Sequence, residues 1–150
     1  MPEQDRALIL QVVTPSGGLE VSRDDVDLVV APGIEGDVGF LPGHLPFMTR
    51  LRTGVLRYYI GDDLHIMAVS EGYLEVTPAK VIVLAEAAEM PENIDVQRAL
   101  NAKREAEAIL AGGTYSQADV LKASASLQRA LLRLRIAAQN RDDEKSHTKK

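Results

Sequence analysis

The chain has 150 residues, a formal net charge of −5, 45% hydrophobic and 26% charged side chains, and no cysteine. This composition is typical of a globular protein, and the lack of cysteine excludes disulfides, thiolate metal ligands and cysteine nucleophiles. The acidic balance argues against general nucleic-acid binding, and we expect neither a signal peptide at the start nor a membrane-spanning run.

Charge and periodicity both change near residue 89. Residues 1–88 carry 13 acidic and 6 basic side chains, whereas residues 89–150 carry 9 acidic and 11 basic ones. The sequence therefore predicts a β-sandwich domain over 1–88, an α-helical hairpin domain over 89–139 and a disordered polar tail over 140–150.

The first part reads as β structure. Six short segments rich in Val, Ile, Leu and Tyr alternate with Gly, Pro and Asp turns, which is typical of an antiparallel sandwich or barrel. The continuous apolar run Val81–Leu84 favours a strand covered on both faces, and no helix of normal length fits before residue 90. The six predicted strands are Ala7–Val13, Val26–Ala31, Gly54–Ile60, Leu64–Val69, Gly72–Thr77 and Lys80–Ala85.

The stretch from Pro32 to Pro46, PGIEGDVGFLPGHLP, is dense in turn formers. It holds four glycines and three prolines, yet apolar side chains are interleaved with them. Glycine permits backbone angles that other residues resist, and proline fixes φ. The stretch therefore predicts tight turns in a packed β domain rather than a flexible linker.

Two helices follow the β part. The first is predicted over Ile94–Ala111, with Asn93 or Asp95 as its cap and Gly112-Gly113 at its end. The second is predicted from about Ser116 to about Gln139. Its start has two competing capping boxes, Ser116 with Asp119 and Thr114 with Gln117. The short link between the helices predicts an antiparallel hairpin.

The packing of this hairpin has two signals. Larger apolar residues form a stripe on the second helix: Val120, Leu127, Leu131, Leu134 and Ala138. Both helices are also rich in alanine. Because alanine buries little apolar area, we expect an alanine-rich seam that docks weakly and can come apart.

Signals for catalysis are absent from the sequence. No HxH, HExxH, GxSxG or GxxxxGK[ST] pattern occurs, so we expect no metal site, no catalytic triad and no phosphate-binding loop. His44 is expected to hydrogen-bond or cap a turn, and His65 to lie on the surface of a strand.

The arginines of the hairpin form the one suggestive set. Arg129 and Arg133 are four residues apart and share a helix face, and Arg98 lies near the start of the preceding helix. Guanidinium groups beside a helix N-terminus suit a polyphosphate. Spacing alone, however, favours a solvated basic face with glutamate partners.

Six segments together resemble the epsilon subunit of bacterial F-type ATP synthase. The resemblance covers about residues 7 to 139 in order and without large gaps. Its segments are PGIEGDVGFLPGHLP, Leu51–Leu56 (LRTGVL), Ser70–Val76 (SEGYLEV), Val81–Ala88 (VIVLAEAA), Ile94–Ala99 (IDVQRA) and Leu127–Leu134 (LQRALLRL).

The resemblance implies a subunit that is not an enzyme and requires no cofactor. Such a subunit belongs to the central stalk, or rotor, of a proton-translocating complex, peripheral to the cytoplasmic face of the cell membrane. Its implied partners are the gamma subunit, the ring of c subunits and the alpha/beta head. Its mobile C-terminal hairpin inhibits ATP hydrolysis when extended. Asp37 and His44 would be partner contacts on ring-facing loops.

Some members of this family bind ATP, and the resemblance carries that site onto this chain. Glu89 and Asp95 would contact the adenine or ribose, and three arginines the phosphates. An arginine that such members carry falls on Glu105 here. The alternative function is a stand-alone nucleotide-binding sensor. Co-purification with gamma would distinguish it from the rotor subunit. The matching positions are Glu89, Ile94, Asp95, Arg98, Ala99, Arg129 and Arg133.

Overall fold

The computed structural model describes residues 7–16 and 18–148. The strands are β1 (Leu8–Thr14), β2 (Gly18–Val26), β3 (Leu28–Gly33), β4 (Gly36–Phe40), β5 (Phe47–Leu51), β6 (Gly54–Ile60), β7 (Asp63–Val69), β8 (Gly72–Thr77), β9 (Lys80–Ala85) and β10 (Ala88–Glu89). A 3-10 turn at Pro91–Asn93 precedes helices α1 (Val96–Leu110) and α2 (Gln117–Thr148). The chain divides into two compact units between Glu89 and Met90. Gly17, part of the predicted first turn, lies outside the described residues.

The strands form one sheet that curls on itself. Its order is β10-β7-β6-β3-β5-β8-β9-β1-β2, with β4 paired to β3. Neighbours are antiparallel except β1 and β9, which are parallel. β1 contacts β10 and β2 contacts β6, so the two borders of the sheet approach each other. The predicted sandwich or barrel is confirmed as a nearly closed one.

Alternation along the strands separates the core from the surface. On β8, Leu74 and Val76 are buried while Tyr73 is exposed. On β9, Val81 and Val83 are buried, but Leu84 is 49% exposed. The prediction that this run is covered on both faces is therefore wrong, because β9 obeys the two-residue period of a sheet with one buried face.

Three strands of ordinary length escaped sequence analysis: β2, β4 and β5. On β2, only Leu19, Val21 and Val26 of the nine residues are apolar, and the strand is bulged, since Leu8 pairs with Val26 whereas Leu10 pairs with Arg23. Beside the bulge, Arg23 forms an ion pair with Asp25 at 2.7 Å, and this hydrogen-bonded partner lowers the pKa of the Asp25 carboxyl. β4 and β5 lie within or directly after the Gly/Pro stretch, whose turn signals mask them.

The caps of both helices resolve the two open alternatives. Asp95 is the N-cap of α1, and its Oδ1 accepts a hydrogen bond from the Arg98 N–H at 3.0 Å. Ser116 Oγ accepts a hydrogen bond from the Asp119 N–H at 3.1 Å, as the first of the two capping boxes predicts. Between the helices, Gly112 and Gly113 both have positive φ, which side chains other than glycine resist.

Alanine lines the seam between α1 and α2. Its buried members recur every seven residues, Ala99 and Ala106 on α1 and then Ala123, Ala130 and Ala137 on α2. The predicted stripe of larger residues does not coincide with this seam, because Val120 is 38% exposed and Leu131 46% exposed. Small side chains let two helices approach closely, and two larger residues outside the predicted stripe, Leu132 and Ile136, are also buried on α2.

The end of the second helix differs from the prediction. Residues 140–148, expected within a disordered tail, continue α2 to Thr148, and residues 149–150 lie outside the description. Local hydrogen bonds support these turns: Asn140 Nδ2 donates to Glu144 Oε1 at 3.5 Å, and Thr148 Oγ1 donates to the Glu144 carbonyl at 2.7 Å. Basic residues in the last turns also suit the helix dipole.

A methyl group at Gly72 should destabilise the sheet strongly. A Cβ built there would lie 1.9 Å from the Leu84 carbonyl oxygen, a backbone atom that cannot move aside. We expect Gly72→Ala to lower the free energy of unfolding by about 3 kcal/mol or more, the upper range for overpacking. Urea unfolding followed by the strand amide signals measures this.

Gly39→Ala is the matched control. Its added Cβ would meet its nearest neighbours, Leu28 and Val30, at ordinary contact distances of 3.8 and 3.9 Å. The change in unfolding free energy should stay within about 1 kcal/mol. Equal effects of the two substitutions would contradict the close approach described for Gly72.

Candidate functional site

The start of α1 carries four of the nucleotide-site candidates. Ile94 and Ala99 are buried, so they can shape a site but offer little surface to a ligand. Asp95 and Arg98 are exposed. Since Asp95 already caps α1 through one carboxylate oxygen, its second oxygen and the Arg98 guanidinium are the groups that this turn can present to a ligand.

Arg129 and Arg133 lie one turn apart on α2 and are both half-buried. They bracket Ala130, which is fully buried in the seam. Arg98 directly precedes Ala99, the first buried alanine of the facing helix. Arg98 and Arg129 are thus the sequence neighbours of buried alanines, and Arg133 lies one turn beyond Arg129.

Glu89 belongs to a different compact unit from the other candidates. It is the last residue of β10 and belongs to the sandwich unit, whereas the other six belong to the helical unit. The set carried over from the family is therefore divided between the two compact units of the chain.

The two predicted partner contacts lie along one border of the sandwich. Asp37, on β4, accepts a hydrogen bond from Arg52 Nη2 at 2.5 Å and lies 3.6 Å from Arg57 Nη1. His44 follows β4 in the loop to β5. Its Nδ1 donates to the Leu45 carbonyl at 2.7 Å, as expected for a turn residue.

Aromatic packing fixes this loop in place. The His44 ring lies edge-on to Phe40, with 5.1 Å between ring centroids, and 6.2 Å from Phe47. Leu45, next to it, is 78% exposed. The border therefore combines a loop that packs on Phe40 and Phe47, an exposed apolar tip and an acidic group that is ion-paired with arginines.

A second surface escaped sequence analysis. One row of neighbouring residues crosses five strands on the outer side of the sheet, and we call it the outer apolar row: Arg50, Tyr73, Leu84, Val13 and Leu19. Tyr73, Leu84 and Leu19 are 54%, 49% and 55% exposed. A groove of about 310 Å³ runs beside Tyr73 and Leu84. The signal in the sequence is the unbroken apolar run of β9, which places apolar side chains on both faces of the strand.

A cavity of about 430 Å³ lies between α1 and α2 toward their connecting loop. Its lining includes small alanines, the Tyr115 ring and charged groups of both signs, Glu105 and Lys122 among them. None of the nucleotide-site candidates lines it. Glu105, the position at which the resemblance implies an arginine, lines this cavity.

Two further properties concern metals and membranes. Among residues 7–16 and 18–148, no cluster of three or more His, Asp or Glu side chains could hold a metal ion. Neither helix in the described part of the chain is long and apolar enough to cross a membrane.

Comparison with known proteins bears on both units. Residues 7–91 match the family model for the β-sandwich domain of the ATP synthase delta/epsilon chain, and residues 92–138 match that for its long α-helix domain. The chain belongs to the family of ATP synthase epsilon chains.

Individual relatives agree with this assignment. The ATP synthase epsilon chain of Dehalococcoides mccartyi is 44% identical over 89% of this chain and 94% of its own length. That of Syntrophobacter fumaroxidans is 47% identical over 85% and 93%. A chain of the Euglena gracilis mitochondrial ATP synthase shares the fold, with a TM-score of 0.69 and 22% identity over 81% of this chain and 76% of that one.

The cap at Asp95 can be separated from any role in ligand binding. Asp95→Ala should destabilise the hairpin by about 1 kcal/mol, because the Arg98 N–H loses its acceptor, whereas Asp95→Asn should retain most of the stability. Amide exchange across α1 measures both. If the asparagine variant is as unstable as the alanine variant, the carboxylate charge contributes something beyond the cap.

Proposed function

We propose that this chain is a non-catalytic rotor subunit in the central stalk of a proton-translocating F-type ATP synthase. It couples the gamma subunit to the ring of c subunits and regulates ATP hydrolysis by the alpha/beta head. The observation that carries the proposal is the match of both family domains, in order, over residues 7–138. The subunit would be peripheral, on the cytoplasmic face of the cell membrane.

The outer apolar row is the proposed docking surface for gamma. The four apolar members of the row lie on four neighbouring strands; exposure of such a surface is unfavourable in water, and its burial yields roughly 25 cal/mol per Å². Tyr73 and Leu84 are paired across β8 and β9, so they form one continuous surface beside the groove. Arg50 at the end of the row adds a polar group that can fix the orientation of a partner.

Replacing Leu84 with aspartate tests this docking surface. We expect Leu84→Asp to weaken co-purification with gamma at least tenfold, since the charge would have to be desolvated in the interface. Leu64→Asp is the matched control: Leu64 is 50% exposed but lies on β7, away from the row. Equal binding by both variants would contradict the docking surface. A wild-type chain that binds no gamma would favour the stand-alone sensor.

The border formed by β4 and the loop after it is the proposed contact with the c-ring. Asp37 and His44 lie on it, and exposed Leu41 and Leu45 supply apolar area. Because Asp37 is ion-paired with Arg52, it would orient that arginine toward the partner rather than meet the partner as an isolated charge.

The helical hairpin is the proposed regulatory element. Its seam is built from alanines, each of which buries far less apolar area than a leucine. Such a seam favours two arrangements of similar free energy, one in which α1 and α2 are packed together and one in which they are extended. The extended arrangement would inhibit ATP hydrolysis.

ATP is the proposed ligand of the packed arrangement. Arg98, Arg129 and Arg133 would bind the phosphates, and Asp95 and Glu89 the adenine or ribose. A ligand shifts such an equilibrium only by its differential affinity for the two states. ATP bound to arginines of both helices would therefore stabilise the packed hairpin.

Titration with ATP tests the phosphate set. We expect ATP to slow amide exchange across α1 and α2, and Arg133→Ala to reduce that protection at least tenfold. Arg135→Ala is the control, because Arg135 is an exposed arginine two residues further along α2. Protection that survives in the Arg133 variant, or that both variants lose equally, would contradict the phosphate set.

A further inference from the structure

The segment after β9 returns to the sandwich before the helical unit begins. The Glu86 N–H donates to the Glu71 carbonyl at 3.0 Å. Ala88 and Glu89 then form β10, where they pair with Val69 and Ala68 of β7. We call residues 86–89 the linker strap, since they are the last residues held by the sheet before Met90.

One buried side chain holds the middle of the linker strap. Ser70, between β7 and β8, is 5% exposed. The Ala87 N–H donates to Ser70 Oγ at 2.7 Å, and the Ser70 N–H donates to the Ala87 carbonyl at 2.9 Å. The hydroxyl also lies 3.4 Å from the same carbonyl, to which it donates. Ser70 thus satisfies both backbone groups of Ala87.

Sheet pairing ends directly after the linker strap, and a 3-10 turn follows. Met90 is extended, with ψ of 151°, and Pro91 occupies the first position of the 3-10 turn. Proline has no N–H to add to the sheet, so pairing with β7 cannot continue past this point. The boundary between the two compact units falls at the same place.

We propose that the linker strap is a releasable clasp and that the Ser70 hydroxyl is its latch. While the strap is paired, the helical unit is tethered at Met90. When the strap opens, the tether begins at Ala85 and gains four residues, which is about 13 Å of extended chain. A role for this opening in regulation rests on the proposed function, in which the hairpin changes arrangement. The opening of the strap itself does not depend on that function.

A two-residue strand is suited to local opening. β10 is short, while its neighbour β7 pairs with β6 along seven residues and would remain in the sheet. Elements held by few hydrogen bonds open without unfolding the rest of a protein. The Ser70 hydroxyl adds a bond that depends on a side chain, so one substitution can release the strap and leave the β7–β6 pairing intact.

Amide exchange in the full chain tests the latch. In Ser70→Ala, the Ala87 amide and its neighbours in the linker strap should exchange at least tenfold faster, while the Leu74 amide in the core should not change. Thr77→Ala is the matched control, because it removes a hydroxyl that donates to the Lys80 carbonyl at 3.4 Å, at another strand end. No acceleration, or an equal acceleration of strap and core, would overturn the proposal.

The unmodified chain provides a test that survives poor folding of the variant. At low denaturant, the Ala87 amide should exchange by local opening, with at least a fivefold weaker dependence of its rate on denaturant than the Leu74 amide shows. Identical dependence for the two amides would mean that the linker strap opens only with the whole sandwich, and the proposal would fail.

Tether length is measured directly by spin labels. The chain has no cysteine, so Glu75→Cys and Gln128→Cys place one label on β8 and one on α2. Ser70→Ala should broaden the distance distribution by up to about 13 Å, and Thr77→Ala should not. Rapid amide exchange in the linker strap together with an unchanged distance distribution between the labels would contradict the predicted lengthening of the tether. These measurements use neither gamma nor ATP, so their failure is distinguishable from failure of the proposed function.

Discussion

The curl of the ten-stranded sheet is the constraint on which the other features of this chain depend. Because one sheet closes on itself, its inner side buries the core and its borders and outer side remain for other purposes. The border at β4 carries Asp37 and the His44 loop. The outer side carries Tyr73 and Leu84, and the β7–β10 border receives the chain on its way to the helices. At Gly72 the backbones of β8 and β9 approach too closely to admit a side chain.

The helical unit obeys a different constraint, which is the size of alanine. Ala99, Ala106 and Ala130 bring the helices close but bury little area, so the contact relies on proximity more than on hydrophobic free energy. The larger Val120 and Leu131 remain on the flank, where they add little to the contact between α1 and α2. A stripe of leucines facing α1 would bury more apolar area and hold the two helices together more tightly.

Sequence reasoning succeeded where local chemistry decides the structure. The strands near Gly54 and Lys80, the caps at Asp95 and Ser116, and the glycine-containing link all follow from short-range signals. It failed where tertiary contacts decide. The polar β2 is a strand because it pairs with β1 at the border of the sheet. The positions buried on α2 are decided by packing and not by the stripe of larger residues that the sequence shows. The family resemblance named candidate residues, but no local signal showed that Glu89 belongs to the sandwich unit and the other six candidates to the helical unit.

The division of the candidates between the two units bears on both proposed equilibria, that of the hairpin and that of the linker strap. Arg98, Arg129 and Arg133 belong to the helical unit, while Glu89 ends the linker strap. A ligand contact at Glu89 would bias the strap toward its paired state, whereas contacts at the arginines would bias the hairpin toward its packed state. A ligand that used the arginines alone would bias the hairpin and leave the strap unaffected. The two equilibria can therefore be coupled or independent, and Glu89 is the residue whose participation decides between them.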